Sequence, residues 1–214
     1  LGELNGSATV SVSAAFNGSL VAVGDVVTIT DGTTSKNITI DAAAKTAGKV
    51  TTTFAVPAEG ASITVKATLK DEANNATPEA TDTAQRDTTA PTNASVALAL
   101  RITTDTSDNG VVSPAELNGA SNFTSRASFD SDAKAGDKIV FNATNGTTVL
   151  ASSTHTLTAG DITAGFVDVS FAKPAEAETQ TVTAHYVDAA GNPASDGSVS
   201  DSARLDTTAP VQTV

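Results

Sequence analysis

Short runs of alternating apolar and polar residues recur along the chain: TVSVSAAF from Thr9, VVTIT from Val26, KNITIDA from Lys36, KVTTTFAV from Lys49 and SITVKATLKD from Ser62. Their period is two and β-branched residues dominate them. Gly, Asn, Asp and Pro break them at intervals of about 8–12 residues, the spacing of an all-β sandwich or barrel. In the second half the same reading predicts seven strands: A, SVALALRI from Ser95; B, FTSRASF from Phe123; C, KIVFNA from Lys138; D, TTVLASSTHTL from Thr147; E, GFVDVSFA from Gly165; F, TQTVTAHYVD from Thr179; G, SVSDSARLD from Ser198. Helical periodicity is weak throughout, and only PAELNGA, from Pro114, is expected to form a short turn.

The two halves are near-copies. ELNGSATVSVSAAF from Glu3 matches ELNGASNFTSRASF from Glu116, and DEANNATPEATDTAQRDTTAPT from Asp71 matches DAAGNPASDGSVSDSARLDTTAPV from Asp188. The offset is 113 residues at Glu3/Glu116 and 119 at Asp87/Asp206, which gives a tandem unit of roughly 115 residues. The expected organisation is an immunoglobulin-like repeat over residues 1–88, a complete one over 89–207, and a linker with the start of a next repeat over 208–214. By alignment, residues 1–3 correspond to the end of the A–B connection, so strand A is expected to be missing from the first copy. DTTAP reads as a stiff extended connector, because Pro fixes φ and biases its predecessor away from helix.

Composition narrows the function classes. Aromatics make up 4% of the 214 residues, with no Trp and one Tyr, so the cores are thin and suit small sandwiches better than an enzyme body with a deep pocket. The 24 acidic and 12 basic residues leave a net charge of −12, which opposes nucleic acid or an anionic membrane as partner and favours divalent cations. Cys is absent, which excludes disulfides and Cys-ligated zinc, and bound metal is a common substitute staple. No apolar run approaches the ~18 residues of a bilayer span, so membrane insertion is not expected.

One stretch has metal-ligand spacing. DTSDNGVVSPAE, from Asp105 to Glu116, places oxygen donors as an EF-hand loop does. Asp105 stands at position 1, Ser107 at 3, Asn109 at 5, Gly110 at the sharp turn, Val111 with its carbonyl at 7, Ser113 at 9 and Glu116 at 12. Ser at position 3 leaves two formal charges, which predicts weak Ca²⁺ binding. The competing reading is a polar turn rich in Asp and Asn. Glu3 keeps position 12 in the first copy.

If strands run from pole to pole, the A–B connection lies beside the exit of strand G, while B–C and F–G lie where the chain arrives. Carboxylates are then expected to gather at junctions between repeats: Glu3, Asp87, Asp188, Asn192, Asp130 and Asp132 at one, and Asp105, Glu116 and Asp206 at the next. Asp71 is the first-copy counterpart of Asp188. Such acids repel one another unless a cation joins them.

DTTAP, the D-x-A-G-N motif of Asp188–Asn192 and the Asp/Asn-rich A–B connection together resemble the bacterial immunoglobulin-like extender repeats of giant, type I-secreted adhesins with RTX-type C-terminal ends. The likeness covers essentially the whole chain, twice. It implies a monomeric stalk module at the bacterial cell surface, serving biofilm or host adhesion. Its partners would be the neighbouring repeats of the same chain, calcium would rigidify the junctions, and the ligand of the parent adhesin stays unidentified. The alternative is an adhesive domain that itself binds a glycan, a surface or a sister adhesin, for example through the Thr-rich runs ATVSVSA and KVTTTF. An enzyme is not expected: His155 and His185 stand in no catalytic motif, and there is no G-x-S-x-G, H-E-x-x-H or phosphate-binding loop.

Overall fold

The structure, a computed structural model, describes residues 7–212. Glu3 lies outside the described residues. The chain divides into two compact units, Leu1–Thr89 and Ala90–Val214.

In the first unit β1 (Thr9–Ala15) pairs antiparallel with β4 (Lys49–Ala55). The facing sheet orders β3 (Ser35–Thr39), β2 (Val26–Thr30), β5 (Ser62–Lys70) and β6 (Ala80–Gln85) as β3-β2-β5-β6. Alternation sends Val27, Ile29, Val50 and Phe54 inward, where they meet Val21 and Ile40 as the buried core.

The second unit carries β7 (Ala99–Ile102), β8 (Val111–Val112), β9 (Asn122–Ser128), β10 (Lys138–Asn145), β11 (Thr148–Thr156), β12 (Phe166–Ala172), β13 (Thr179–Val187) and β14 (Val199–Leu205). Its sheets are β12-β9-β7 and β11-β10-β13-β14-β8. Strands B to G are therefore β9 to β14, as the period-two runs predict. Each unit is an immunoglobulin-like β-sandwich with strand D hydrogen-bonded to strand C, β3 to β2 in the first unit and β11 to β10 in the second, on the sheet of F and G. The core of the second unit is larger: Phe123, Phe141, Ile102, Ile139, Val112 and Val182 are all fully buried in it.

Three features differ from the sequence reading. Strand A begins at Ala99 and not at Ser95, because Asn93–Val96 forms a 3-10 turn that ends at Ala97 with φ 48. Two short helices were not foreseen: α1 (Ala42–Ala47) and, after α2 (Pro114–Leu117) at the expected short turn, α3 (Ala159–Ala164). Asp41 and Thr158 cap the first turns of α1 and α3, while Gly48 (φ 66) and Gly165 (φ 75) end them in the left-handed conformation. Finally, the A–B connection is not a simple turn at one pole. It contains β8, which runs parallel to β14 with Val111 opposite Arg204 and Val112 opposite Leu205. Between β7 and β8, residues 103–110 carry the chain from one sheet to the other.

Candidate functional site

The EF-hand-spaced segment is this crossover. Asp105 is buried, and its carboxylate organises the turn. Oδ2 accepts the Gly110 N–H at 2.7 Å, and Oδ1 accepts the Asn109 N–H at 3.3 Å and the Ser107 hydroxyl at 3.2 Å. Gly110 at φ 79 makes the sharp turn for which position 6 needs glycine. The Gly110 carbonyl then accepts the Arg204 N–H at 2.9 Å and the Val112 carbonyl accepts that of Asp206 at 3.0 Å, which turns the Val111 carbonyl the other way.

Glu116 closes the loop from α2. Its Oε1 accepts the Ser107 N–H at 3.0 Å, the Ser107 hydroxyl at 2.8 Å and the Thr106 hydroxyl at 3.2 Å. Oε2 accepts the Ser113 N–H at 2.9 Å and the Ser113 hydroxyl at 2.8 Å, forming the capping box of α2. Those donors, with the Ser113 N–H foremost, lower the Glu116 pKa to about 2, so the carboxylate is ionised through the neutral range.

The structure thus brings positions 1, 3, 9 and 12 together: the Ser107 hydroxyl touches both Asp105 and Glu116, and Ser113 touches Glu116. Position 5 is turned aside, since Asn109 Oδ1 accepts the Val111 N–H at 2.9 Å. All the donors are hard oxygens, which suits calcium. The Ser107 and Ser113 hydroxyls, now spent on the carboxylates, could turn a lone pair to a cation instead. Among the described residues no three His, Asp or Glu side chains gather as a metal cluster. The loop supplies two carboxylates, as its sequence predicts. Asp108 adds no charge to it, because it pairs with Arg101 at 3.3 Å.

The other sequence candidates occupy small hydrogen-bonded turns of their own units. Asp188 accepts the Asn192 N–H at 2.8 Å and its side-chain amide at 2.9 Å, with Asn192 fully buried. Asp71 holds Asn75 in the same way, at 2.8 Å and 2.7 Å. The D-x-A-G-N motif is therefore a five-residue turn tied at both ends. Asp206 pairs with Arg204 at 2.6 Å, Asp130 accepts the Asp132 N–H at 2.9 Å, and Asp87 accepts the Thr89 N–H at 3.2 Å. His155 contacts Asp161, which completes the capping box of α3 with Thr158, at 3.0 Å.

Sequence reasoning passed over two sets of residues. In each unit a glutamate of the loop before strand F grips the DTT exit. Glu59 accepts the Thr88 N–H and hydroxyl, both at 2.6 Å, and Glu176 accepts those of Thr207 at 2.7 Å and 2.6 Å. The Thr88 hydroxyl, ahead of its N–H, holds the Glu59 pKa down to about 2, and Thr207 lowers that of Glu176. The signal was present as Pro57-Ala58-Glu59 and Pro174-Ala175-Glu176, one in each copy. The second set is Gly-Asp, at Asp25 and Asp137. Buried Asp137 accepts the Lys134 and Ala189 N–H groups and the Tyr186 hydroxyl, and burial of that phenol raises its pKa.

No family model matches the chain, and no curated protein matches it. Solved structures align with the chain at low identity. The chicken CNTN1 FN1–FN3 domains align at 10% identity and a TM-score of 0.47, over 85% of this chain and 55% of theirs. A tetra-tandem repeat from the extending region of a large adhesion protein aligns at 18% and 0.35, over 94% of this chain and 51% of that one. The chicken interferon gamma receptor alpha chain aligns at 9% and 0.34, over 92% and 97%. The chain spans about half the length of the first two. No helix among the described residues is long and apolar enough to cross a membrane.

Proposed function

We propose that this chain is a structural extender of an extracellular bacterial adhesin of the RTX type, a stalk module whose Asp105–Glu116 crossover takes a calcium ion. The observation that carries the reading is duplication of the exit: both sandwiches end in DTTAP, and an equivalent glutamate grips the threonines of each. A chain that repeats the way it leaves a domain as faithfully as the domain itself is organised for spacing. The neighbouring repeats are its partners, and recognition of the adhesin's ligand falls to other parts of the protein. Asp105, Ser107, Ser113 and Glu116 would hold the ion. It would fix the crossover between sheets by joining the turn of Asp105 to α2, and extracellular calcium supports a dissociation constant of roughly 10⁻⁴–10⁻³ M.

Calorimetry of the whole chain tests the loop. Millimolar calcium is expected to raise the melting temperature of the second unit, with EDTA abolishing the rise by mass action and Glu116→Gln removing it. An unchanged melting profile would remove calcium from the reading. Small-angle scattering in calcium and then in EDTA tests the stalk role: a pair-distance profile that broadens in EDTA is expected if calcium stiffens the module.

A further inference from the structure

β11 is the free edge of its sheet: among the described residues it pairs with β10 and with no strand on its other side. β3 holds the same place in the first unit. The two edges correspond residue by residue. Lys70 and Val187, which precede the matched Asp71 and Asp188, stand opposite Val26 and Lys138. Lys36, opposite Ile29, therefore corresponds to Ser153, opposite Phe141.

That exchange changes what the edge can do. Lys36 reaches across to the facing sheet, where its Nζ donates to the Thr53 carbonyl and lies 5.3 Å from the centre of the Phe54 ring. A lysine on an edge strand discourages pairing with another chain, because the incoming strand would have to cover the ammonium group. Ser153 brings no charge, and nor does any residue near it in sequence. Residues 139–160 are the longest stretch of the chain without Asp, Glu, Lys or Arg, and they contain the whole of β11.

The edge is also longer and more apolar than its counterpart. β2 and β3 part at Thr30 and Ser35, whereas β10 and β11 continue past the equivalent Asn142 and Ser152 to Asn145 and Thr148. The added part carries Val149, 64% exposed, and Leu150, 48% exposed. β11 has neither Pro nor Gly, the residues that weaken strand pairing.

We propose that β11 is a self-association edge through which two copies of this chain join side by side. Each copy has a net charge of −12, so two copies repel over most of their surfaces and can meet only along a neutral strip. A strongly charged partner would find no counter-charge on β11. A two-fold axis sets two β11 strands antiparallel and makes the edge its own complement, the free N–H groups of one copy meeting carbonyls of the other. The two β11-β10-β13-β14-β8 sheets then merge, and Val149 and Leu150 lose water against the opposing strand. This adds a lateral partner to the stalk reading and needs no calcium.

Sedimentation of the whole 214-residue chain in EDTA tests the edge separately from the calcium loop. A monomer–dimer equilibrium is expected, strengthened by added salt, which screens the repulsion between copies. Amide exchange should slow at β11 as protein concentration rises. Ser153→Lys, which restores the residue of the first copy, should weaken the dimer by about tenfold or more. Thr154→Lys, at an exposed position, should weaken it several-fold with the melting temperature unchanged. Both variants make the chain less negative, so a loss of association comes from the strand and not from net charge. A chain that stays monomeric to its solubility limit would overturn the proposal. So would a dimer that both variants leave intact, or exchange protection at β3, β12 or another surface in place of β11.

Discussion

β1 and β9 are the same strand in two copies of one sandwich, and their surroundings differ. In β9 the inward residues Phe123, Ser125 and Ala127 are fully buried, whereas Val10, Val12 and Ala14 at the matching positions of β1 are half-exposed. β14 alternates between exposure and burial and carries buried Ala203 and Leu205; β6 is exposed along its whole length. The strands have the same alternation in sequence, so the pattern alone does not close a core. Closure comes from β7 and β8, which cover β9 on one sheet and β14 on the other.

The contrast can be broken most forcefully at its aromatic end. Phe123→Ala should destabilise the second unit by about 3–5 kcal/mol, while Val10→Ala, at the same register, should cost the first unit about 1 kcal/mol. Two calorimetric transitions, each moved by only one of the variants, would establish the difference, and equal shifts would refute it.

A smaller effect is expected at the entrance of the second unit. Buried Asn93 accepts the Tyr186 N–H at 2.9 Å and donates both its side-chain amide, at 2.9 Å, and its backbone N–H, at 2.7 Å, to the Asp196 carboxylate. Asn93→Ala should cost about 1–3 kcal/mol, because the Tyr186 N–H loses its partner. Chemical denaturation of the second unit measures it.

The smallest effect is a pH dependence shared by both units. Glu59 falls from the ordinary glutamate value of 4.5 to about 2 in the folded chain. A depressed carboxylate stabilises the fold fully above its unfolded value, and that contribution is lost as pH falls through the folded one. The first transition should therefore drop between pH 4.5 and about 2, and Glu59→Gln should flatten that part of the profile. Glu176, lowered for the same reason, should do the same for the second unit.

Much of the fold was legible because strands announce themselves locally. Period-two runs bounded by Gly, Asn and Asp located strands B to G, and the spacing from Asp105 to Glu116 put Ser107, Ser113 and both carboxylates in one loop, from which Asn109 and Val111 turn away. What escaped was either very short or non-local. α1 and α3 have six residues each, too few to show a helical period, although Asp41…Gly48 and Thr158…Gly165 carry the start and stop signals. β8 has two residues and becomes a strand only because β14 lies beside it. The grip of Glu59 on Thr88 spans 29 residues, a distance over which no sequence pattern reports a contact. The D-x-A-G-N motif was correctly seen as recurrent, but its carboxylate meets the Asn four residues on, a partner that the junction argument had placed beside it as a co-ligand.

The parallel pairing of β8 with β14 also bears on how the second unit carries load. β8 lies near the start of that unit and β14 at its end, so tension applied through the two ends draws these strands along their axes in opposite directions. Their hydrogen bonds, from Arg204 to Gly110 and from Asp206 to Val112, are then sheared together and not peeled one after another.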